Sequence, residues 1–192
     1  MLKTSDCYYE LKTRSEVIQE LSDWCKAQTG WSQWRWTTFM LKEAPLEIIE
    51  QDTVIRKLLD NGWRAPFIMK NYPHSFYSFH VDKENRPAAI NLLLDDNVNS
   101  HTYFLGESLY KAQFRALELK YRYGYYYLLN THIKHGVFNL QKDRYVFSIS
   151  PPAEYIPEWW DEKAGKSKDN IVTRDSLKVF SALKLGLQEL NL

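Results

Sequence analysis

The 192-residue chain balances 25 Lys and Arg against 24 Asp and Glu, for a formal net charge of +1. Such balance argues against a dedicated binder of nucleic acid or acidic surfaces, whose affinity needs a basic excess. The length fits one domain with a core of its own, and the two cysteines, Cys7 and Cys25, form neither a CxxC pair nor a zinc cluster. Two such thiols suit a reducing compartment. The opening MLKTSDCYYELKTRSE is too polar for a signal peptide, and no apolar run approaches the ~18 residues of a membrane span. A soluble, cytoplasmic protein with no membrane partner is expected; no residue pattern specifies an oligomeric state. Aromatic residues make up 15% of the chain, a weight that favours strands and more often fills a core than builds a binding platform.

In chain order, TRSEVIQELSDWCKAQ places Val17, Leu21, Trp24 and Cys25 at helical spacing and predicts a helix over 14–28 with Ser15 as cap. WSQWRWTTFML changes to β-branched and aromatic residues and predicts a strand. APLEIIEQDTVIRKLLDNG predicts a second helix, with Pro45 in its first turn and Gly62 past its end. After Gly62, short apolar runs alternate with turn punctuation: RAPFIMK, SFYSFHVD, AAINLLL, HTYFLG, ALELKYRY, YYYLLNT, HGVFN and RYVFSIS. Eight strands within about 90 residues suggest a jelly roll rather than βαβ units. RDSLKVFSALKLGLQEL predicts a closing helix. The expected architecture is mainly β with flanking helices: a helical and strand extension over 1–62, a core over 63–152, and a loop with a helix over 153–192.

Within SFYSFHVD, His80 and Asp82 sit two apart, and a strand turns such residues to one face. A buried carboxylate must be paired or must bind a metal. A partner is offered by NTHIKHGVFNLQKDRYVFSIS. If 135–139 and 144–150 pair as antiparallel strands across LQKD, Asn139 faces Arg144, His135 faces Ser148, and His135, Arg144 and Ser148 share one face. Two histidines and a carboxylate are the ligand set of mononuclear iron(II) with open coordination positions. Arginine is the cation suited to a buried carboxylate, since its planar fork binds both oxygens.

The order HxD, distal His, then Arg nine residues on, over a jelly roll, resembles the 2-oxoglutarate- and iron(II)-dependent oxygenases. Asn130, His135, Asn139, Arg144 and the closing FSIS look most like the aspartyl/asparaginyl β-hydroxylase branch. The similarity spans residues 63–152. It implies a double-stranded β-helix (cupin-like jelly roll) that uses dioxygen to hydroxylate a peptide or amino-acid substrate, or a small metabolite. Iron would sit on His80, Asp82 and His135. Arg144 would hold the distal carboxylate of the 2-oxoglutarate cosubstrate, assisted by Ser148. The chain departs from many members of the branch in keeping a carboxylate at Asp82, and from some relatives in carrying Val146 two residues after Arg144.

Other residues keep two readings. Asn91 contacts cosubstrate or satisfies backbone. Arg86, in the loop leaving the metal-bearing strand, contacts an acidic substrate or is a solvated loop arginine. His132 is a rival to His135 that strand parity turns away. His74 and His101 border turns and are expected to face solvent. Tyr72, Tyr77 and Tyr103 pack the core or reach the cosubstrate. Trp31, Trp34 and Trp36 are expected to cover the outside of the barrel, and Trp159 and Trp160 to form a lid. The rivals to an oxygenase are a cupin-type metalloenzyme that does not use 2-oxoglutarate and a non-catalytic jelly-roll binding module.

Overall fold

The computed structural model describes residues 2–35, 37–82, 86–96, 99–106, 115–155 and 174–192. Trp36, Trp159 and Trp160 lie outside them. One helical turn, α1 (Thr4–Cys7), leads into strand β1 (Tyr8–Arg14), and α2 spans Ile18–Ala27. The helix expected over 14–28 therefore begins later. Tyr8, Tyr9, Leu11 and Thr13 favour extended backbone, and Ser15 gives its hydroxyl to the buried Asp52 carboxylate at 2.7 Å instead of capping α2. The tryptophan-rich stretch is a hairpin, β2 (Ser32–Gln33) and β3 (Phe39–Glu43), rather than one strand. The second helix divides into α3 (Leu46–Ile49) and α4 (Thr53–Asp60), because Asp52 caps α4, accepting from the Val54 and Ile55 N–H groups at 2.9 and 3.1 Å. Gly62 lies past its end at φ +80°, where a side chain would be strained.

All eight strands expected after Gly62 are present. They are β4 (Arg64–Asn71), β5 (Ser75–His80), β6 (Ala89–Leu93), β7 (Ser100–Gly106), β8 (Arg115–Leu119), β9 (Tyr125–Leu129), β10 (His135–Asn139) and β11 (Arg144–Ser150). A single 3-10 turn (Ala153–Tyr155) and α5 (Arg174–Glu189) complete the described residues. A seven-stranded sheet has the order β1-β9-β6-β11-β4-β3-β2, and a four-stranded sheet the order β5-β10-β7-β8. Every pairing is antiparallel. Strands that switch sheet from one to the next make this a double-stranded β-helix, the jelly roll expected.

One expectation is overturned. β10 and β11 do not form a hairpin: β10 pairs with β5 and β7, and β11 with β4 and β6. Period-two alternation fixes which face a strand buries, but not which sheet it joins. The link between them crosses the sandwich, and buried Asn139 holds it, its Nδ2 donating to the Asn71, Tyr72 and Lys142 carbonyls at 3.0, 2.8 and 2.7 Å. His135 and Arg144 consequently face each other from opposite walls.

The outer face of the large sheet, with Ile68, Ile90, Leu92, Tyr126, Leu128, Phe147 and Ile149, packs under the helices against Leu21, Ile49, Ile55, Leu58, Phe180 and Leu183. Strands buried on both faces read as unbroken apolar runs, which is why AINLL and YVFSI look as they do. Between the sheets a smaller cluster of Cys7, Phe104, Leu119, Tyr127, Leu129 and Ile133 fills one end. The rest of that space is an unfilled cavity of about 680 Å³.

Candidate metal centre

β5 ends at His80, and β10 begins at His135 directly opposite it, so the two rings meet across the strand pair with centroids 4.4 Å apart. Asp82 lies just past β5, its N–H tied to the Thr131 carbonyl at 3.0 Å. Its Oδ1 stands 3.3 Å from His80 Nε2 and 3.7 Å from His135 Nε2. One ligand atom from each of the three residues lies within 4.8 Å of the others.

The protons decide what this cluster is for. His80 Nδ1 sits 2.8 Å from the Ser78 carbonyl and His135 Nδ1 2.9 Å from that of Ile133, and a carbonyl only accepts. Each Nδ1 therefore carries a hydrogen, and each ring turns its Nε2 toward a carboxylate oxygen. Burial pushes the His135 imidazole down to about 4, against the opposing pull of Asp82, so that ring is neutral at pH 7. Burial works to raise the Asp82 carboxyl, but the hydrogen bond from His80, the charge His135 takes up below about 4, and Arg86 outweigh it and hold it at about 2. Two imidazole Nε2 atoms and a carboxylate oxygen thus converge on one point. That set fits a divalent cation, with carbonyl bonds fixing both ring orientations.

Arg144 is 3% exposed, on the inward face of β11. Its Nη1 stands 3.3 Å from Asn71 Oδ1 on the neighbouring β4, and its Nη2 reaches Thr102 Oγ1 of the small sheet at 3.3 Å. The Tyr121 ring lies below at 5.8 Å, and its hydroxyl, like Arg144 Nε, makes no hydrogen bond. Burial pulls the guanidinium below its ordinary value, and no carboxylate among the described residues forms an ion pair with it. Tyr121 and the Asp95 charge favour it from beyond ion-pair distance, and a desolvated cation with no carboxylate in contact is an incomplete anion site. Thr102 pairs with Val137, two residues along β10 from His135, so the guanidinium lies about 7 Å along the strand from the histidine.

Ser148, Asn91 and Arg86 form a separate group. Ser148 is not in contact with Arg144: its hydroxyl donates to Asn91 Oδ1 and accepts from Arg86 Nη2. Arg86 is no solvated loop residue. Its Nη1 stands 3.4 Å from Asp82 Oδ2, its guanidinium lies 5.0 Å from the centre of the Phe67 ring, and Thr131 Oγ1 binds its carbonyl. Asp82 therefore turns one oxygen to the histidines and the other to Arg86.

His132 lies outside the cluster of three ligands, its N–H bonded to Asn130 Oδ1 at 3.3 Å. His74 is exposed, whereas His101 pairs with Glu118 at 2.6 Å. Tyr77 lines the cavity, its ring centroid 4.1 Å from that of His80; Tyr72 is exposed, and Tyr103 packs edge-on to Phe138 on the other side of the small sheet. Trp31 covers the outer face of the large sheet at Tyr145, but Trp34 lines the cavity. Sequence reasoning missed Asn71, Thr102 and Tyr121 around Arg144. The one local signal was inward parity: Thr102 alternates with outward residues in HTYFLG.

No protein-family model matches the chain, and no curated protein matches it. Solved structures do. A Pseudomonas putida prolyl-4-hydroxylase superposes with a TM-score of 0.50 at 13% identity, covering 71% of this chain and 86% of that one. A Trichoplax adhaerens prolyl hydroxylase, in complex with a hypoxia inducible factor oxygen degradation domain peptide fragment, gives 0.54 at 11%, covering 77% and 83%. The non-heme alpha ketoglutarate dependent epimerase SnoN from nogalamycin biosynthesis gives 0.54 at 12%, covering 87% and 88%. At such identities the likeness establishes the fold.

Proposed function

We propose that the chain is a 2-oxoglutarate- and iron(II)-dependent dioxygenase that hydroxylates an amino-acid side chain, free or peptide-bound, or a small metabolite. The observation that carries this reading is the convergence of His80 Nε2, His135 Nε2 and Asp82 Oδ1, in a cavity that also holds a buried arginine with no ion-pair contact among the described residues. His80, Asp82 and His135 would hold the iron. When bound, iron(II) supplies dioxygen activation coupled to oxidative decarboxylation of 2-oxoglutarate to succinate.

The residues of the chain do the rest. Arg144 takes the distal carboxylate of the cosubstrate, and the Tyr121 hydroxyl and Thr102 stand beside it as further hydrogen-bonding groups. The strand distance from Thr102 to His135 suits a five-carbon dicarboxylate reaching from the guanidinium to the metal ligands. Phe67, Met69, Leu129 and Val137 line the same cavity and keep water from the reacting groups. The fold shared with a prolyl hydroxylase that holds a peptide supports a peptide substrate. An Asp- or Asn-like target rests on the sequence order of His80, Asp82, His135 and Arg144 with its β-hydroxylase resemblance.

The test is succinate formation from 2-oxoglutarate by protein reconstituted with iron(II). Parent protein should turn over slowly in air even without primary substrate, and stop when oxygen is removed. Arg144→Met and His135→Ala should both be silent. Metal binding without any 2-oxoglutarate binding would favour the cupin-type enzyme, and no metal binding the non-catalytic module.

A further inference from the structure

We infer that the primary substrate presents a carboxylate, as a monoanion, to a subsite formed by Arg86, Ser148 and Asn91, apart from the cosubstrate's anchor at Arg144. This rests on the reading of the metal centre and cosubstrate given above.

The first support is an imbalance of buried charge. Arg86 and Arg144 both line the cavity, and among the described residues Asp82 is the acid in contact with either. A divalent ion on the triad, two guanidinium groups and one carboxylate leave three positive charges. A dicarboxylate cosubstrate cancels two. One positive charge stays inside a desolvated cavity, where an unmatched ion is expensive.

The second support is the donor inventory. A guanidinium has five N–H donors. Arg86 spends them on Ser148 and on a long 3.4 Å contact with Asp82, while its shielded Nε has no partner. Ser148 passes its own proton to Asn91, and the Asn91 amide nitrogen makes no hydrogen bond among the described residues. Both unused donor groups belong to side chains that line the cavity beside a metal ligand.

Distance separates the two sites. Ser148 lies four residues from Arg144 on the same face of β11, about 13 Å along the strand. A cosubstrate whose distal carboxylate sits on Arg144 keeps that end about 13 Å from Ser148 along the strand. The Arg86 group is therefore left for the second reactant, and its carboxylate would be set next to the ion.

The test uses protein loaded with manganese(II) and saturating 2-oxoglutarate. Manganese-induced proton relaxation gives the affinities of matched probes: butyrate against butyramide, and N-acetyl-aspartate α-amide against N-acetyl-asparagine α-amide. The parent should prefer each carboxylate by tenfold or more. Arg86→Gln should erase that preference, Arg86→Lys should restore part of it, and Ser148→Ala should reduce it, each with 2-oxoglutarate affinity within about threefold of the parent. The ratio is measured within one variant, so a general loss of active protein cancels. Equal binding of acid and amide by the parent, or a preference that survives in Arg86→Gln, would overturn the subsite. A loss of 2-oxoglutarate affinity in Arg86→Gln equal to that in Arg144→Met would also overturn it, by assigning Arg86 to the cosubstrate. A metal-loaded parent that binds no 2-oxoglutarate, yet still prefers carboxylates through Arg86, would sink the oxygenase reading and leave the subsite standing.

Discussion

Burial drives the His135 imidazole down to about 4 from an ordinary 6.5, and this fixes a pH response. An unfolded histidine takes up its proton near 6.5, but the folded one resists until about 4, so the unfolded state binds more protons in between. Metal-free protein should therefore lose stability as pH falls from 6.5 toward 4. Asp82, held at about 2 against an ordinary 3.8, adds a further loss below that range. The denaturant midpoint of chelator-treated protein should be flat above pH 7, then fall, and His135→Asn should flatten the fall between 6.5 and 4. A parent midpoint level across that interval would contradict the burial argument. Arg144 gives a prediction of opposite character. Arg144→Met should raise the 2-oxoglutarate dissociation constant about a hundredfold, the size expected for a desolvated charge-assisted pair. It should not destabilise the metal-free protein, because it removes a buried charge that makes no ion-pair contact among the described residues. Calorimetric titration and thermal unfolding of the same variant check both halves.

At the scale of elements, the eight strands after Gly62 were legible because apolar runs and turn residues alternate there without a break. β1 was not, because Tyr8 to Arg14 resembles a polar leader until Tyr127 and Leu129 of β9 pair with it. Nor was the break at Asp52, which nothing but its position marks as a cap inside a helical pattern. The HxD pair and the distal histidine were visible as residue types in order. The partner of each strand was not, since the predicted hairpin and the observed crossing bury the same faces of β10 and β11. Asn71, Thr102 and Tyr121 came to Arg144 from β4, β7 and the segment after β8, a convergence no local pattern encodes. Two substitutions test the elements that make the convergence. Asp52 is wholly buried and accepts four hydrogen bonds, from Ser15 Oγ, Glu16 N, Val54 N and Ile55 N, joining the approach to α2 with the start of α4. Asp52→Ala should cost about 3 kcal/mol or more in chemical denaturation, because the donors are left buried and unmatched. A Cβ on Gly136 would lie 2.9 Å from Phe79 Cδ1 and 3.1 Å from the Tyr77 carbonyl, and the second contact is with backbone that cannot turn away. Gly136→Ala should therefore destabilise by about 1–3 kcal/mol and disturb the neighbouring His135. A variant as stable as the parent would show that β5 and β10 part more easily than their contacts suggest.

Over the whole molecule, work is divided between two faces of one sheet. The outer face of the large sheet packs on the helices and forms the larger hydrophobic core. That support leaves the space between the sheets partly unfilled, so Arg144, Arg86 and the three ligands face a cavity instead of packed hydrocarbon. The candidate ligands His80, Asp82 and His135 come from the small sheet and its edge, while Arg144, Asn91 and Ser148 come from the large one, so the candidate site forms only when both sheets close. Binding at the site should accordingly stabilise the closed sandwich. The most direct test is titration of metal-free protein with manganese(II) in the presence of 2-oxoglutarate, read by the loss of the free-ion resonance signal. One ion should bind per chain, and binding should vanish when His80, Asp82 and His135 are all replaced by Ala. A triple variant that binds manganese as tightly as the parent, or a parent that binds none, would contradict the account.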